Sequence, residues 1–327
     1  MKLRVAVVFG GRSGEHEISL RSAKSIMEAM DPEKYQIHQF IISKDGEWSP
    51  RPILPSPRGN PDIDVVFPVL HGTFGEDGTI QGLLEMADLP YVGAGVLASS
   101  ASMDKEVMKR LAKERGLPVV DYRVFSSSQI LSAEEACASL GFPLFVKPAN
   151  LGSSVGISKC KNAAELKQAL TLAAQFDRKI IVERGITGRE FECAVLGNEE
   201  PLASTPCEIL PSREFYDYED KYLLGKAQTV IPADLSAGQT GDIQRLAVEC
   251  YRAVECEGMA RVDFLLENAT GKMYINEINT IPGFTSISMY PKMWEHGGLP
   301  MPKLIDRLIE LALDRDRVRK SLRYTRE

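Results

Sequence analysis

The 327-residue sequence predicts a mixed α/β and α+β chain built from three successive units. Three observations carry this reading. Residues 1–98 repeat the order strand, glycine-rich loop, helix, the pattern of a mostly parallel sheet with ligands at its strand C-termini. Residues 99–183 change to a helix followed by short strands around a glycine-serine loop, a small α+β unit. Residues 184–327 run through strands, a polar tyrosine-rich loop, a helix, a hairpin and a final helix, a second α+β unit.

In the first unit LRVAVVF reads as a buried strand, GGRSGEHE as a loop, and roughly Glu17 to Met30 as a helix with Ser19, Ser22 and Ser25 on its polar side. YQIHQFIIS and DVVFPVL are the next strands. HGTFGEDG is a second glycine-rich loop opening the helix TIQGLLEMA. GAGVLA, Gly93 to Ala98, matches a dinucleotide fingerprint but has no convincing strand before it, so it reads as a tight turn between units. SMDKEVMKRLAKERG is a helix with Ser102 or Asp104 near its start and Gly116 past its end. FPLFVKPANLGSSVGISKC is a pair of strands, NAAELKQALTLAAQ an amphipathic helix, and KIIVERGI a strand. FECAVLG and PLASTPCEIL are strands, DIQRLAVECYRAVEC is a helix, and the chain ends in an amphipathic helix from Pro302 whose basic end, RDRVRKSLRYTRE, reads as solvated.

Composition narrows the function classes. Hydrophobic content of 44% and charged content of 26% are those of a globular protein. A net charge of −6 gives no reason to expect nucleic acid or an anionic membrane as partner. No apolar run approaches the roughly 20 residues of a membrane span, and the N-terminus reads as a core strand instead of a signal. The six cysteines form no CxxC and no zinc-like spacing with histidine, so they are expected as reduced core residues of a cytoplasmic protein. There is no GxxxxGK[ST], hence no P-loop.

The richest stretch is RVDFLLENATGKMYINEIN, Arg261 to Asn279. It reads as two strands joined by a turn, with Asp263 interrupting the first and Glu277 and Asn279 the second. Side chains two apart share a face, so Glu277 and Asn279 point the same way and Asp263 can lie opposite them. Two carboxylates and an amide oxygen suit Mg²⁺ with phosphates completing its shell; the alternative is an amphipathic hairpin with its polar face in water. Lys147 ends an apolar strand and needs an anion to offset its burial, and GSSVG, Gly152 to Gly156, can close backbone N–H groups on a phosphate. An ordinary hairpin turn with a surface lysine is the rival reading. Glu183 and Glu190 flank RGITGR, either a charged loop or a hinge that reads a base and a ribose hydroxyl. Glu15 stands where a strand ends and a helix begins, where helix capping competes with binding of an ammonium group. His71 occupies the matching loop of the third strand, either as a satisfied loop histidine or as part of the site.

Taken in order, HGTFGEDGTIQGLLE, SMDK, VKPANLGSSVG, EFYDYEDKY, RVDF and NEINTIPGFTSISMYP resemble the D-alanine–D-alanine ligases, carboxylate–amine ligases of the ATP-grasp fold. The resemblance runs from the first strand to about Gly298. It implies an N-terminal parallel-sheet domain and two α+β domains that sandwich ATP. It implies that Lys105 and Lys147 hold ATP phosphates under the GSSVG loop with its Ser154, that Glu183, Arg184 and Ile186 face adenine, and that Glu190 takes the ribose. Asp263, Glu277 and Asn279 would bind two Mg²⁺ (or Mn²⁺). Arg261 and the Gly283 N–H would stabilise the transferring phosphoryl group. Glu15, linked to Ser153 and Tyr222, would take the ammonium of the first D-alanine, and Ser288 the carboxylate of the second. Lys221 and Tyr222 lie on a loop, about 212–226, that would fold over the site.

Arg184 departs from the lysine common at that place in the family. The expected activity is ATP-dependent joining of two D-alanines for peptidoglycan precursor synthesis, in the cytoplasm, and the resemblance also raises a homodimer through the N-terminal unit. The rivals are a D-alanine–D-serine or D-alanine–D-lactate ligase, another ATP-grasp ligase, and a nucleotide-binding module without turnover. The Lys221-Tyr222 pair is associated with D-alanine in the second site and its aromatic hydroxyl argues against the D-lactate type.

Overall fold

The structure is a computed structural model, and the residues it describes are 1–128, 137–152, 155–211 and 228–326. The N-terminal sheet contains β1 (Leu3–Gly10), β2 (Tyr35–Ile42), β3 (Trp48–Ser49) and β4 (Val65–Val69) in the order β3-β2-β1-β4. β1 runs parallel to β2 and β4, and the short β3 closes one edge antiparallel to β2. β1 is covered on both faces from Val5 onward, which is why Val5 to Phe9 is an unbroken apolar run. Helix α1 (His16–Ala29) packs on this sheet and α2 (Thr79–Met86) follows β4. Ser19 and Ser22 do not face solvent as expected from sequence: both are fully buried. Ser19 Oγ accepts from Gly10 N and donates to the Val69 carbonyl, so the hydroxyl ties helix to sheet where a methyl group could not.

GAGVLA opens a helix, α3 (Val96–Met103), which the sequence reading had as a turn. α4 (Lys105–Glu114) follows at once. Asp104 separates them in extended conformation, and its carboxylate accepts from the N–H groups of Glu106 and Val107, a helix N-cap. The small-residue run VLASSASM carries little amphipathic signal because most of it is buried, so periodicity could not reveal α3.

The central sheet contains β5 (Tyr122–Ser126), β6 (Leu144–Pro148), β7 (Ser158–Cys160) and β8 (Lys179–Arg184) in the order β5-β8-β6-β7, all antiparallel. Helix α5 (Ala163–Ala173), capped by Asn162, buries Leu166 and Leu170 against Leu144, Val146, Ile180 and Val182.

The large sheet contains β9 (Gly188–Leu196), β10 (Leu202–Ala203), β11 (Cys207–Leu210), β12 (Gln228–Val230), β13 (Met259–Glu267) and β14 (Met273–Asn279). Its order is β12-β11-β9-β13-β14, with β10 beside β9. Its residues alternate between two cores. Cys193, Val195, Val262 and Phe264 pack against α6 (Ala237–Ala253). Ala194, Leu196, Ile209 and Met259 join α7 (Met289–His296), α8 (Met301–Ser321) and the β1–β4 face in one continuous core. The N-terminal sheet and the large sheet are thus welded through α7 and α8. The basic end of α8 is only partly solvated. Arg315 donates to the carbonyls of Gly93 and Tyr91, and Arg319 pairs with Glu85, Asp88 and Asp316, while Arg317 is exposed. All six cysteines are buried and free.

Candidate active site

Two cavities, of about 130 and 120 Å³, lie side by side between the three sheets and share a wall made by Lys105, Leu151, Gly152, Glu192 and Glu277. The first is lined by Glu15, His71, Arg261, Asn279, Gly283 and Ser288, among others. The second is lined by Lys147, Glu183, Arg184, Ile186, Glu190 and Asp263, among others. Of the candidates read from sequence, Ser153, Ser154, Lys221 and Tyr222 lie outside the described residues, as does the whole of the 212–226 loop. Every other one lines one cavity or the other.

The hairpin forms as its residue pattern requires. Arg261 faces Asn279, and Asp263 faces Glu277. The register then slips, because Phe264 pairs with Ile275 and leaves Asn276 as an extra residue. Such a bulge turns the adjoining side chains and twists the strand. On the other side of β13, Asp263 faces Glu192 of β9, so three carboxylates form one row across three strands. Arg261 grips Asp263 with two hydrogen bonds of 2.7 and 2.6 Å and stands 3.4 Å from Glu192. Burial would lower the Arg261 guanidinium, but the charges of Asp263 and Glu192 outweigh it and hold it well above its usual range. Asn279 accepts from Ile281 N at 3.0 Å, which turns the chain into the following loop.

That loop is anchored to the N-terminal unit. Phe284 is buried edge-on to Phe67, and its N–H donates to Ser22 Oγ at 3.3 Å. His71 touches the Ile281 carbonyl at 3.0 Å and Ser22 Oγ at 3.1 Å, so it is a satisfied, buried histidine that locks the loop. Burial works against its charged form, yet Glu76 and Glu15 raise its pKa. Ser288 Oγ accepts from Thr285 N at 2.9 Å. A Cβ at Gly283 would come within 2.7 Å of that Ser288 oxygen, so glycine is needed for the close approach. Glu15 sits ahead of α1 but makes no side-chain capping bond. Its carboxylate is directed at Gly72 instead: a Cβ there would stand 2.6 Å from Oε2, and φ is +73°.

In the second cavity Lys147 finds the anion its strand demands. Its Nζ donates to Glu183 at 2.7 Å and to Asn276 Oδ1 at 3.3 Å. Lys109 of α4 reaches the other Glu183 oxygen at 3.0 Å. Burial would raise the Glu183 carboxyl, but the two ammonium groups overcome it and hold it far below the ordinary carboxylate range. Burial lowers Lys109, which lies deepest, whereas Lys147 is raised by Glu183 despite burial. Arg184 is held by Glu267 at 2.6 Å and Tyr274 at 3.2 Å. Lys105 donates to the Leu151 carbonyl at 2.7 Å and lies 3.8 Å from Glu277.

Sequence reading missed Glu192, Lys109 and Asn276. Glu192 interrupts an apolar strand just as Asp263 does, and Lys109 falls one helical turn after Lys105, so both signals were present. Asn276 is placed by the bulge, which no spacing announces. Among the described residues no group of three or more His, Cys, Asp or Glu is arranged to hold a metal ion. Asp263, Glu277 and the Asn279 amide nevertheless supply hard oxygen donors of the kind that suits Mg²⁺, which commonly takes one or two carboxylates together with phosphates.

A parallel-sheet unit joined to two antiparallel sheets, with a cation-lined cavity between the sheets and a second cavity opening on its wall, defines an ATP-grasp ligase. Comparison with known proteins gives the family. Residues 4–59 and 55–94 match the family described as D-ala D-ala ligase N-terminus, and residues 111–310 match D-ala D-ala ligase C-terminus. The D-alanine–D-alanine ligase of Solibacter usitatus (strain Ellin6076) is 69% identical over 326 residues, covering 100% of both chains. The solved D-alanine-D-alanine ligase from Coxiella burnetii is 40% identical with a TM-score of 0.86, covering 98% of this chain and 96% of that one. The VanG D-Ala:D-Ser ligase from Enterococcus faecalis is 36% identical with a TM-score of 0.88, covering 95% and 100%. The chain belongs to the D-alanine–D-alanine ligase family and is an ATP-using carbon–nitrogen ligase.

Proposed function

We propose that the protein joins two D-alanine molecules into D-alanyl-D-alanine, consuming ATP, by way of an acyl phosphate. The observation that carries this is the shared wall: Lys105, Gly152, Glu192 and Glu277 belong to both cavities, so a phosphoryl group held at the wall is within reach of a nucleotide on one side and an amino acid on the other. A carboxylate does not react with an amine in water. Transfer of the γ-phosphoryl group to its oxygen, with ADP leaving, turns it into an acyl phosphate. The second amine then forms the C–N bond as phosphate departs with the C–O electron pair.

Such a reaction needs positioning and charge neutralisation more than covalent help. Lys105 and Lys147 hold phosphates, Glu190 takes the ribose, and Arg184 and Ile186 line the base. Glu15 receives the first ammonium group, Ser288 the second carboxylate, and Arg261 with the Gly283 N–H receives the charge developing on the phosphoryl group. Two Mg²⁺ (or Mn²⁺) ions held by Asp263, Glu277 and Asn279 would neutralise phosphate charge when bound. We place the protein in the cytoplasm, where ATP and the cell-wall precursor pathway meet; no helix among the described residues is long and apolar enough to cross a membrane. A homodimer through the N-terminal unit would cover the exposed Met86, Val96 and Leu97.

The rival reading is D-serine in the second site, since a D-Ala:D-Ser ligase superposes closely. The higher, full-length identity to a D-alanine–D-alanine ligase favours D-alanine. An ATP-dependent phosphate-release assay with D-alanine, and identification of the product, tests the proposal.

A further inference from the structure

Lys109 lies one turn beyond Lys105 on α4 and is completely buried. An ammonium in that position is tolerated only if acceptors replace its water. Its two acceptors come from different sheets. One is Glu183 Oε1 at the end of β8, at 3.0 Å. The other is the main-chain carbonyl of Asn276, at 3.2 Å, in the bulge of β14 immediately before Glu277. Lys147 bridges the same two residues, donating to Glu183 at 2.7 Å and to the Asn276 side chain at 3.3 Å. Lys109, Glu183, Lys147 and Asn276 therefore close a ring. Two ammonium groups share one carboxylate, so one positive charge is left over at the edge of the nucleotide cavity.

We propose that Lys109 is a positioning residue for the nucleotide: it holds Glu183 and the Asn276 carbonyl together, which sets Lys147 and Glu277 at a constant separation across the cavity. Without Lys109, Lys147 would be the only cation of this ring facing Glu183, and neutralising that carboxylate would leave no surplus positive charge for a phosphate. The inference rests on reading that cavity as the ATP site.

The test compares Lys109→Met with the parent, both checked to be folded by circular dichroism. It measures the Kd for Mg·ADP by calorimetry and the KM values for ATP and D-alanine. The loss of the Lys109 contacts to Glu183 and to the Asn276 carbonyl predicts a rise of about tenfold in the ADP Kd and in the KM for ATP, with the D-alanine KM within about twofold of the parent. A purely structural lysine would lower the melting temperature and leave both nucleotide constants within about twofold, which would overturn the proposal. If Lys109→Met does not fold, the double variant Lys109→Met/Glu183→Gln removes the buried pair together and is compared with Glu183→Gln. Equal ADP affinity in the two supports action through Glu183, and a further tenfold loss overturns it. A parent that binds no Mg·ADP would overturn the functional reading, and the proposal with it, and is recognisable because the parent itself fails.

Discussion

Asp263 and Glu277 stand directly opposite each other on β13 and β14, and the ladder slips by one residue immediately beyond them. The pairing sets Asp263, which lines the second cavity, against Glu277 on the wall between the two, and the bulge turns both Asn276 and Glu277 out of the core. Removing one carboxylate should therefore remove chemistry without removing much packing. Glu277→Ala is expected to lower turnover by about a thousandfold or more, with a melting temperature within a few degrees of the parent because Glu277 is only half-buried. Coupled measurement of ADP release together with a thermal melt checks this. Unchanged activity would take Glu277 out of the site.

Gly283 makes a different prediction because it meets Ser288 so closely. A methyl group there would lie 2.7 Å from Ser288 Oγ and displace it. Gly283→Ala should raise the KM for D-alanine in the second site by about tenfold or more while leaving the KM for ATP nearly unchanged. Initial rates over a grid of both substrates separate the two. An effect on ATP alone would contradict the assignment of Ser288.

Arg184 is tied to Glu267 and Tyr274, a forked arrangement that a lysine cannot reproduce. Arg184→Lys should change the KM for ATP by a few-fold, with kcat much less affected, since the residue lines the nucleotide cavity away from the shared wall. Steady-state kinetics in ATP decides it, and a large fall in kcat at saturating ATP would place Arg184 in the chemistry instead.

Glu183 carries a pH signature. Burial alone would raise its carboxyl, but Lys109 and Lys147 hold it at about 2, below an ordinary value of 4.5. The folded state thus binds fewer protons than the unfolded one as pH falls. Stabilisation from the pairing is complete above the unfolded value and is lost as pH falls toward the folded one. At about 1.4 kcal/mol per pH unit it is on the order of 3 kcal/mol. Melting temperatures measured between about pH 6 and pH 3 should fall more steeply for the parent than for Glu183→Gln, which is expected to be less stable at the upper end. Parallel curves would show that Glu183 is not the group responsible.

Much of the site was legible in the sequence because its chemistry interrupts apolar strands. Asp263, Glu277 and Lys147 stand where a core strand would carry valine, and each lines a cavity. The parallel N-terminal sheet was legible from the repeated order of strand, glycine-rich loop and helix. What could not be read depends on contacts between distant segments. The α7–α8 weld to the N-terminal sheet, the burial of Ser19 and Ser22, and the anchoring of Arg315 and Arg319 arise only once the chain is folded. α3 escaped because a helix buried on most sides has no polar stripe. Glu192 and Lys109 escaped for another reason: each carried a readable signal, but neither stands in a stretch whose ordered motifs resemble the family.

The central claim is that the two cavities are an ATP site and a D-alanine site meeting at one wall. It is tested most directly by incubating the protein with ATP, Mg²⁺ and D-alanine near neutral pH, measuring phosphate release, and identifying the product by mass spectrometry, with D-serine and D-lactate as alternative second substrates. The prediction is D-alanine-dependent release of one phosphate for each D-alanyl-D-alanine formed, with D-alanine preferred over D-serine and D-lactate in the second position. Phosphate release that ignores D-alanine, or a higher turnover with D-lactate, would contradict it.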